Sequence, residues 1–429
     1  MSFKKTYCVF FILFLIILTC VGCGKSQKNN QNQEKEIKSE KIATLESYED
    51  NAAYWYEPTK MSFGEDVVVR IDSDYIKYID PQSGENIYAC SRTNCTHNTK
   101  ECQANFGEGC EYACIYEKKL YVIIYDEETK RLVGYESNID GSERKEKFKI
   151  ESDGRDITDA FCANGQAYFN VNNIYIVEMD ENQYSSEEIL YDAERQKNTI
   201  YGIEFKTGKV AKLIDFPTMS SSLVSRMYYE KGALFVEHYY REKSLMTLAD
   251  YVDDDLESFQ AIESAFWEKY DQNKYNEVLG VGCKQYVYLL REGKLKEVTK
   301  DFLFDAGIKH GNSEKIIFGG IVNKKEATYV YDIKNDTVIE INQWPYVDIY
   351  VDGRYIYAIQ EGKKIKYFEF DGEKSTSINE LSAKICSGYI AENETYIFYE
   401  NEQDEDENIY SISKKDFWEG KDEGVIINK

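Results

Sequence analysis

The chain has 429 residues and a formal charge of -25, with 77 acidic residues against 52 lysines and arginines. So acidic a chain repels nucleic acid and anionic lipid, which excludes nucleic acid as a partner. The chain has only four prolines and many β-forming residues, among them 37 tyrosines. This composition favours half-buried β-strands.

The N-terminus has the pattern of a secretory signal. Two lysines precede an apolar run over residues 7–18, which is shorter than the roughly 20 residues of a membrane-spanning helix. Gly22 stands directly before Cys23, and this pair is similar to the lipobox of bacterial lipoproteins, although Cys20 stands where leucine is usual. We predict a signal peptide over residues 1–22 and lipidation of Cys23; a plain secreted protein is the alternative.

A polar segment, residues 23–46, follows the signal. Residues 25–41 contain almost no apolar side chains, so they cannot bury enough surface to fold. A random coil of that length reaches on the order of 20–25 Å. We therefore predict a disordered tether that holds a folded domain, residues 47–429, at the extracytoplasmic face of the cell membrane.

The folded domain consists of short β-runs separated by tight turns. The pattern is clearest over residues 346–378, where apolar residues alternate with polar ones and Asp-Gly or Glu-Gly pairs separate four runs. Similar units recur along the whole domain. The predicted units are residues 54–90, 110–150, 157–214, 223–299, 302–341, 346–378 and 383–427.

Repeated units of this size predict an all-β fold, a single β-propeller of seven four-stranded blades. Such units cannot cover both faces of their own sheets, so they pack face to face and close into a ring with few free edges. Six or eight blades remain alternatives because the repeat is degenerate. A β-sandwich with a second domain lacks the even spacing, and a β-helix needs shorter repeats.

Three long connections interrupt the repeat: residues 91–109, 172–198 and 241–276. In an antiparallel blade, the connection from the second to the third strand and that to the next blade leave on the same side. We therefore expect all three on one face, which we predict to be the binding face.

The connection in the fourth blade contains a predicted helix. Its apolar residues recur at helical spacing, which predicts a stripe that packs down on the propeller, with partner docking as the alternative. The run Asp253-Asp254-Asp255 lacks the pattern of a calcium loop and indicates solvated charge. The residues of the stripe are Leu248, Val252, Leu256, Phe259, Ile262 and Phe266.

A cysteine cluster is the motif with the most chemical content. The segment Cys90-x4-Cys95-x-His97-x4-Cys102 offers four soft ligands on a short loop, as tetrahedral zinc requires. With Cys110 and Cys114, these cysteines are also sufficient for two disulfides and one remaining thiol, and reduced free thiols are a third alternative. Three further cysteines lie singly in or beside strands and are predicted to be buried: Cys162, Cys283 and Cys386.

In this segment the chain resembles a family of exported β-propeller lipoproteins of low-GC Gram-positive anaerobes. The first blade of that family ends in a segment like Cys90-Ser-Arg-Thr-Asn-Cys95-Thr-His97, followed by a further cysteine. The resemblance implies a surface location and a propeller fold, and no activity. If such organisms live without oxygen, their thiols stay reduced, which favours the metal.

The functional hypothesis is a lipid-anchored binding protein whose insertion-bearing face holds a protein, peptide or glycan. An extracellular hydrolase or lyase acting on a glycan or peptide is the first alternative. Spacing alone selects no catalytic pair among 77 carboxylates and three histidines, and the chain has no G-x-S-x-G or H-E-x-x-H motif. A structural envelope protein is the second alternative.

Overall fold

The structure is a computed structural model that describes the chain from residue 53 onward, with internal gaps. The signal peptide, Cys23 and most of the tether lie outside the described residues. Within the described part, no helix is long and apolar enough to cross a membrane. The described ranges are 53–64, 67–151, 156–163, 165–176, 194–230, 233–252, 259–291, 294–297, 308–311, 314–322, 325–342, 347–351, 354–358, 366–369, 375–377, 381–401 and 408–428.

The first thirteen strands cover the first three predicted units. In chain order they are β1 (Ala53–Tyr56), β2 (Met61–Phe63), β3 (Val68–Asp72), β4 (Tyr75–Ile79), β5 (Asn86–Tyr88), β6 (Cys110–Tyr116), β7 (Lys119–Asp126), β8 (Arg131–Asn138), β9 (Lys145–Glu151), β10 (Asp156–Ala163), β11 (Gln166–Ile176), β12 (Glu194–Glu204) and β13 (Lys209–Asp215). Nine of them form one sheet in the order β13-β12-β11-β10-β1-β2-β3-β4-β5, because β1 pairs with both β10 and β2. Strands β6 to β9 form a separate four-stranded sheet.

The remaining described strands form four further sheets of four strands, each in chain order. They are β14 (Ser221–Glu230), β15 (Ala233–Arg241), β16 (Val281–Arg291), β17 (Lys294–Glu297), β18 (Ile308–Gly311), β19 (Lys315–Val322), β20 (Lys325–Asp332), β21 (Thr337–Asn342), β22 (Val347–Val351), β23 (Arg354–Ala358), β24 (Lys366–Glu369), β25 (Ser375–Ser377), β26 (Tyr389–Glu392), β27 (Tyr396–Glu400), β28 (Ile409–Ser413) and β29 (Val425–Ile426). The prediction of a mostly β chain with many four-stranded sheets is therefore confirmed, whereas the first and third predicted units share one nine-stranded sheet.

A β-bulge recurs in the first strand of several units. The pairing of this strand with the second shifts by one residue at positions 111, 158, 225, 309 and 390. An extra residue in one strand bends it and increases the local twist. Its recurrence at equivalent strands supports the internal repeat that the turn spacing predicts.

Neighbouring units share their apolar cores. Alternation along each strand sends every second side chain to one face of its sheet, and that face packs on the next sheet. Clusters that join successive units from the third to the seventh include Phe161 with Val236, Phe235 with Phe318, Ile317 with Tyr355, and Ile356 with Tyr399.

The first and last units also pack together. The rings of Phe63 and Phe398 stack at 4.5 Å, and both side chains are buried in one cluster. Arg70 Nη1 donates to the Asn428 carbonyl at 2.8 Å, and Asn393 Nδ2 donates to the Gly64 carbonyl at 2.7 Å. The two ends of the folded chain therefore lie side by side.

The predicted helix in the fourth unit is two helices preceded by a 3₁₀ turn, Leu245–Tyr251. The helices are α1 (Phe259–Lys269) and α2 (Gln272–Leu279). Helix α2 begins where the Asp271 side chain accepts a hydrogen bond from the Lys274 amide. Two short helices, α3 (Ala383–Ser387) and α4 (Lys414–Trp418), lie in the last unit.

The apolar stripe is buried as predicted at three of its positions, but not mainly on the sheets. Leu248, Ile262 and Phe266 pack with Val278 and Leu279 into a cluster of the insertion itself. The expectation that the stripe packs down on the propeller is therefore corrected: a second helix and the 3₁₀ turn supply its cover. Leu256, the side chain of Phe259 and the run 253–255 lie outside the described residues.

Candidate metal centre

The four predicted ligands lie on the loop that joins β5 to β6, residues 89–109, which we call the cysteine loop. Two tight turns fold it back on itself: the Cys95 amide donates to the Arg92 carbonyl at 3.3 Å, and the Cys102 amide donates to the Thr99 carbonyl at 3.1 Å. The ligand His97 has a left-handed backbone, with φ of 51°. These turns return the second, third and fourth ligands toward the first.

The ligand atoms of Cys90, Cys95, His97 and Cys102 lie within 4.8 Å of one another. His97 Nδ1 is 3.3 Å from Cys102 Sγ. With Zn–S near 2.3 Å and Zn–N near 2.0–2.1 Å, the edges of a zinc tetrahedron measure about 3.5–3.8 Å. The four atoms therefore fit a tetrahedral ion after small movements, and the Cys₃His set suits zinc.

The protonation of the thiols is uneven before any cation binds. Burial raises the pKa of Cys90, but hydrogen bonds from the backbone of Arg92 and Gln103 favour the thiolate and lower the pKa below its usual value. Burial and, to a smaller extent, the neighbouring Cys95 and Cys90 thiols raise the pKa of Cys102 to about 11. A divalent cation would hold both sulfurs as thiolates and release the proton of Cys102.

Neighbouring side chains hold the ligands in place. The His97 ring stacks on Tyr88 of β5, with centroids 4.4 Å apart and planes 12° apart. Gln103 Oε1 accepts hydrogen bonds from the Ser91 amide at 3.1 Å and, as long as no cation is bound, from the Cys90 thiol at 3.7 Å. Such contacts hold the candidate metal-binding side chains in a fixed orientation, as is usual around metal sites.

The cysteine loop is also packed on both neighbouring units. The Ile76 amide of β4 donates to the Ala104 carbonyl at 2.9 Å. Gly141, in the turn between β8 and β9, has φ of +71°, and a Cβ there would lie 2.1 Å from the Gln103 carbonyl oxygen. Arg144 Nη2 donates to that same carbonyl. Only glycine at 141 permits this close approach of two backbones.

The other two cysteines of the sequence cluster lie apart from the ligands. Cys110 and Cys114 are buried in β6, and burial raises the pKa of both. Cys114 hydrogen-bonds with Cys162 of β10. None of the eight described cysteines is disulfide-bonded. Cys162 and Cys386 are buried, as predicted, whereas Cys283 is only half-buried.

Sequence spacing predicted the four candidate ligands, which the structure brings together, but not the residues around them. Tyr88, Gln103, Gly141 and Arg144 carry no motif, and only their long-range contacts reveal their part in the site. Within the described residues, no second group of three or more cysteine, histidine or acidic side chains has this geometry.

No protein-family model matches the chain, and no curated protein matches it. Solved structures with a similar fold include the β-propeller domain of the Trilobed protease from Pyrococcus furiosus, at 12% identity and a TM-score of 0.38, over 87% of this chain and 97% of that one. An oligogalacturonate lyase from Vibrio parahaemolyticus has 10% identity and a TM-score of 0.36, over 89% of this chain and 85% of that one.

The acylaminoacyl peptidase of Pyrococcus horikoshii is similar at 11% identity and a TM-score of 0.38, over 86% of this chain. The chain spans about half, 51%, of that peptidase. The similar structures thus include β-propeller proteins, and at these identities the likeness concerns the fold alone.

Proposed function

We propose that the protein is a lipid-anchored binding protein of the cell surface, built on a closed seven-bladed β-propeller. The core shared by the first and last units supports ring closure, because sheets in an open row would leave those two faces exposed. The lipobox-like Gly22-Cys23 pair supports the anchor, and the polar tether supports a body that stands clear of the membrane.

We propose further that Cys90, Cys95, His97 and Cys102 bind one zinc ion. The convergence of four soft ligand atoms within 4.8 Å is the observation that supports this most directly. Four protein ligands fill the coordination sphere, whereas catalytic zinc keeps a position for water or substrate. The metal is therefore structural, and it stabilises the crossing between the first two units.

A binding function suits this arrangement better than a metal-dependent hydrolase or lyase. The proposed zinc has no open position at which to activate water or polarise a substrate. In the proposed ring, the crossing β5–β6 and the connections β11–β12 and β15–β16 lie on one face, because antiparallel strands alternate in direction. We propose that this face, which carries the long connections, holds a protein, peptide or glycan.

Elemental analysis of purified residues 47–429 tests the metal. We expect about one equivalent of zinc, lost in the Cys95→Ser variant and kept in the Cys283→Ser control, whose half-buried thiol lies outside the cluster. Thiol titration of the same samples distinguishes the alternative. Absence of both metal and titratable thiols in Cys90, Cys95 and Cys102 would establish disulfides and contradict the zinc proposal.

A further inference from the structure

We infer that a cleft beside the cysteine loop binds a small zwitterion of the amino-acid or short-peptide class. This inference deepens the proposed binding function and rests on it. The cleft has a volume of about 440 Å³, within the range of ligand sites in proteins. It is lined by Asp74, Lys100, Asn105, Phe106, Gly107, Glu108 and Arg144.

The charged side chains of the cleft carry both signs. Lys100 and Arg144 supply two cations, and Asp74 and Glu108 supply two carboxylates. Within the described residues, none of the four is ion-paired. Charges of opposite sign that stay apart across a cleft can each pair with an oppositely charged end of one ligand.

The lining of the cleft is partly apolar and is hydrogen-bonded to a neighbouring turn. Phe106 is buried, and the Arg144 guanidinium lies 3.7 Å from its ring centroid. The Phe106 amide donates to the Asp74 carbonyl at 2.8 Å, so the lining is fixed to the turn before β4. Gly107 leaves open space where another residue would place a Cβ. A short peptide backbone therefore has room above an ordered surface.

The charge of the whole molecule selects against ions of its own sign. At a formal charge of -25, the surrounding potential repels anionic ligands. A simple cation would pair with the two carboxylates of the cleft and leave Lys100 and Arg144 without a charged partner. A ligand with one carboxylate and one ammonium has no net charge. It meets neither penalty, and it uses both pairs of cleft charges.

The proposed metal and the cleft share the same backbone. Lys100 lies between the ligands His97 and Cys102, and the Asn105 amide donates to the Cys102 carbonyl at 3.1 Å. Zinc would therefore order the cysteine loop, which supplies five of the seven cleft residues, and the position of Lys100 depends on it. Ligand affinity is expected to fall when the metal is removed.

Calorimetric titration with trialanine tests the cleft. We expect saturable binding of trialanine, and about tenfold weaker binding of N-acetyl-trialanine and of trialanine amide, because each lacks one charged end.

Lys100→Glu should weaken trialanine binding about tenfold, whereas Lys334→Glu, the same charge change on an exposed turn between β20 and β21, should not. Asp74→Asn should weaken binding of trialanine but not of its N-acetyl form.

Zinc content measured on the same samples separates this inference from the proposed function. Bound zinc with no saturable trialanine binding, or with equal binding of the capped peptides, would overturn the cleft and leave the metal centre intact. Trialanine binding that survives Lys100→Glu and Asp74→Asn would place the ligand elsewhere. If the purified protein contains no zinc but binds trialanine as expected, the zinc proposal is wrong and the inference about the cleft stands.

Discussion

His238 ends a chain of buried polar side chains that crosses from the third unit to the fourth. Asn170 Nδ2 donates to Asn198 Oδ1 at 2.6 Å, Asn198 Nδ2 donates to Ser222 Oγ at 2.8 Å, and Ser222 lies 2.7 Å from His238 Nε2. Ser222 Oγ therefore contacts both the Asn198 amide group and the His238 ring. These side chains thus connect two sheets through hydrogen bonds that no sequence motif predicts.

This chain makes stability depend on pH. Burial and, to a smaller extent, the positive charge of Lys284 lower the pKa of His238 to about 4. Between pH 6.5 and 4 the unfolded histidine takes up a proton that the folded one does not, so the free energy of unfolding falls by about 3 kcal/mol as the pH falls. Urea unfolding at pH 7 and pH 4 measures this loss.

The His238→Gln variant is the control because its side chain keeps an acceptor and does not titrate. We expect it to lose about 3 kcal/mol less than the wild type over the same pH range. Carboxylates and the cysteine loop titrate alike in both proteins, so they cancel in the comparison. Equal losses in both proteins would contradict the prediction, because they would show that the pKa of His238 is the same in the folded and the unfolded protein.

At the scale of elements, the insertion between β15 and β16 folds on itself. Periodicity in the sequence predicts its helix and the buried positions Leu248, Ile262 and Phe266, because helical spacing is a local property. The second helix, α2, supplies part of the cover through Val278 and Leu279. Its place opposite α1 depends on tertiary packing, which the sequence pattern does not specify.

Replacing Phe266 therefore has a local effect. Phe266 is fully buried, and Phe266→Ala is expected to reduce the stability of the insertion by about 3–5 kcal/mol. Hydrogen exchange should accelerate in α1 and α2 and stay unchanged in β3 and β4, since the cluster belongs to the insertion.

Trp267→Ala provides the matched control for Phe266→Ala. Trp267 is the next residue and is 38% exposed, so its removal should change exchange far less. Accelerated exchange throughout the sheets in the Phe266→Ala protein would mean that the insertion is part of the main cooperative unit.

At the scale of the whole molecule, the fold depends on contacts between the ends of the chain. The strands of the first and last units meet in a cluster that contains Phe63 and Phe398, which are 4.5 Å apart between ring centroids. Turn spacing predicts that repeated units stack, and it leaves closure and blade number open. The pairing of β1 with β10, which joins the first and third units, has no counterpart in the repeat pattern.

A double-mutant cycle tests the closure. Phe63→Ala and Phe398→Ala should each cost about 3–5 kcal/mol, and their stacked rings should couple by about 1 kcal/mol. The control cycle pairs Phe63→Ala with Phe318→Ala, whose ring lies in the cluster between the fourth and fifth units, and it should be additive. Additivity in the first cycle would contradict a closed ring.

The sequence by itself predicted the recurring β-units and the cluster of Cys90, Cys95, His97 and Cys102, which the structure brings together. Alternation, turn residues and ligand spacing are local, and they act over a few neighbouring residues. Only the tertiary structure decided how the ends meet, how the insertion is covered, and which residues surround the ligands. Those features join positions far apart in the chain, such as Gly141 with Gln103 and Phe63 with Phe398, and packing alone selects them.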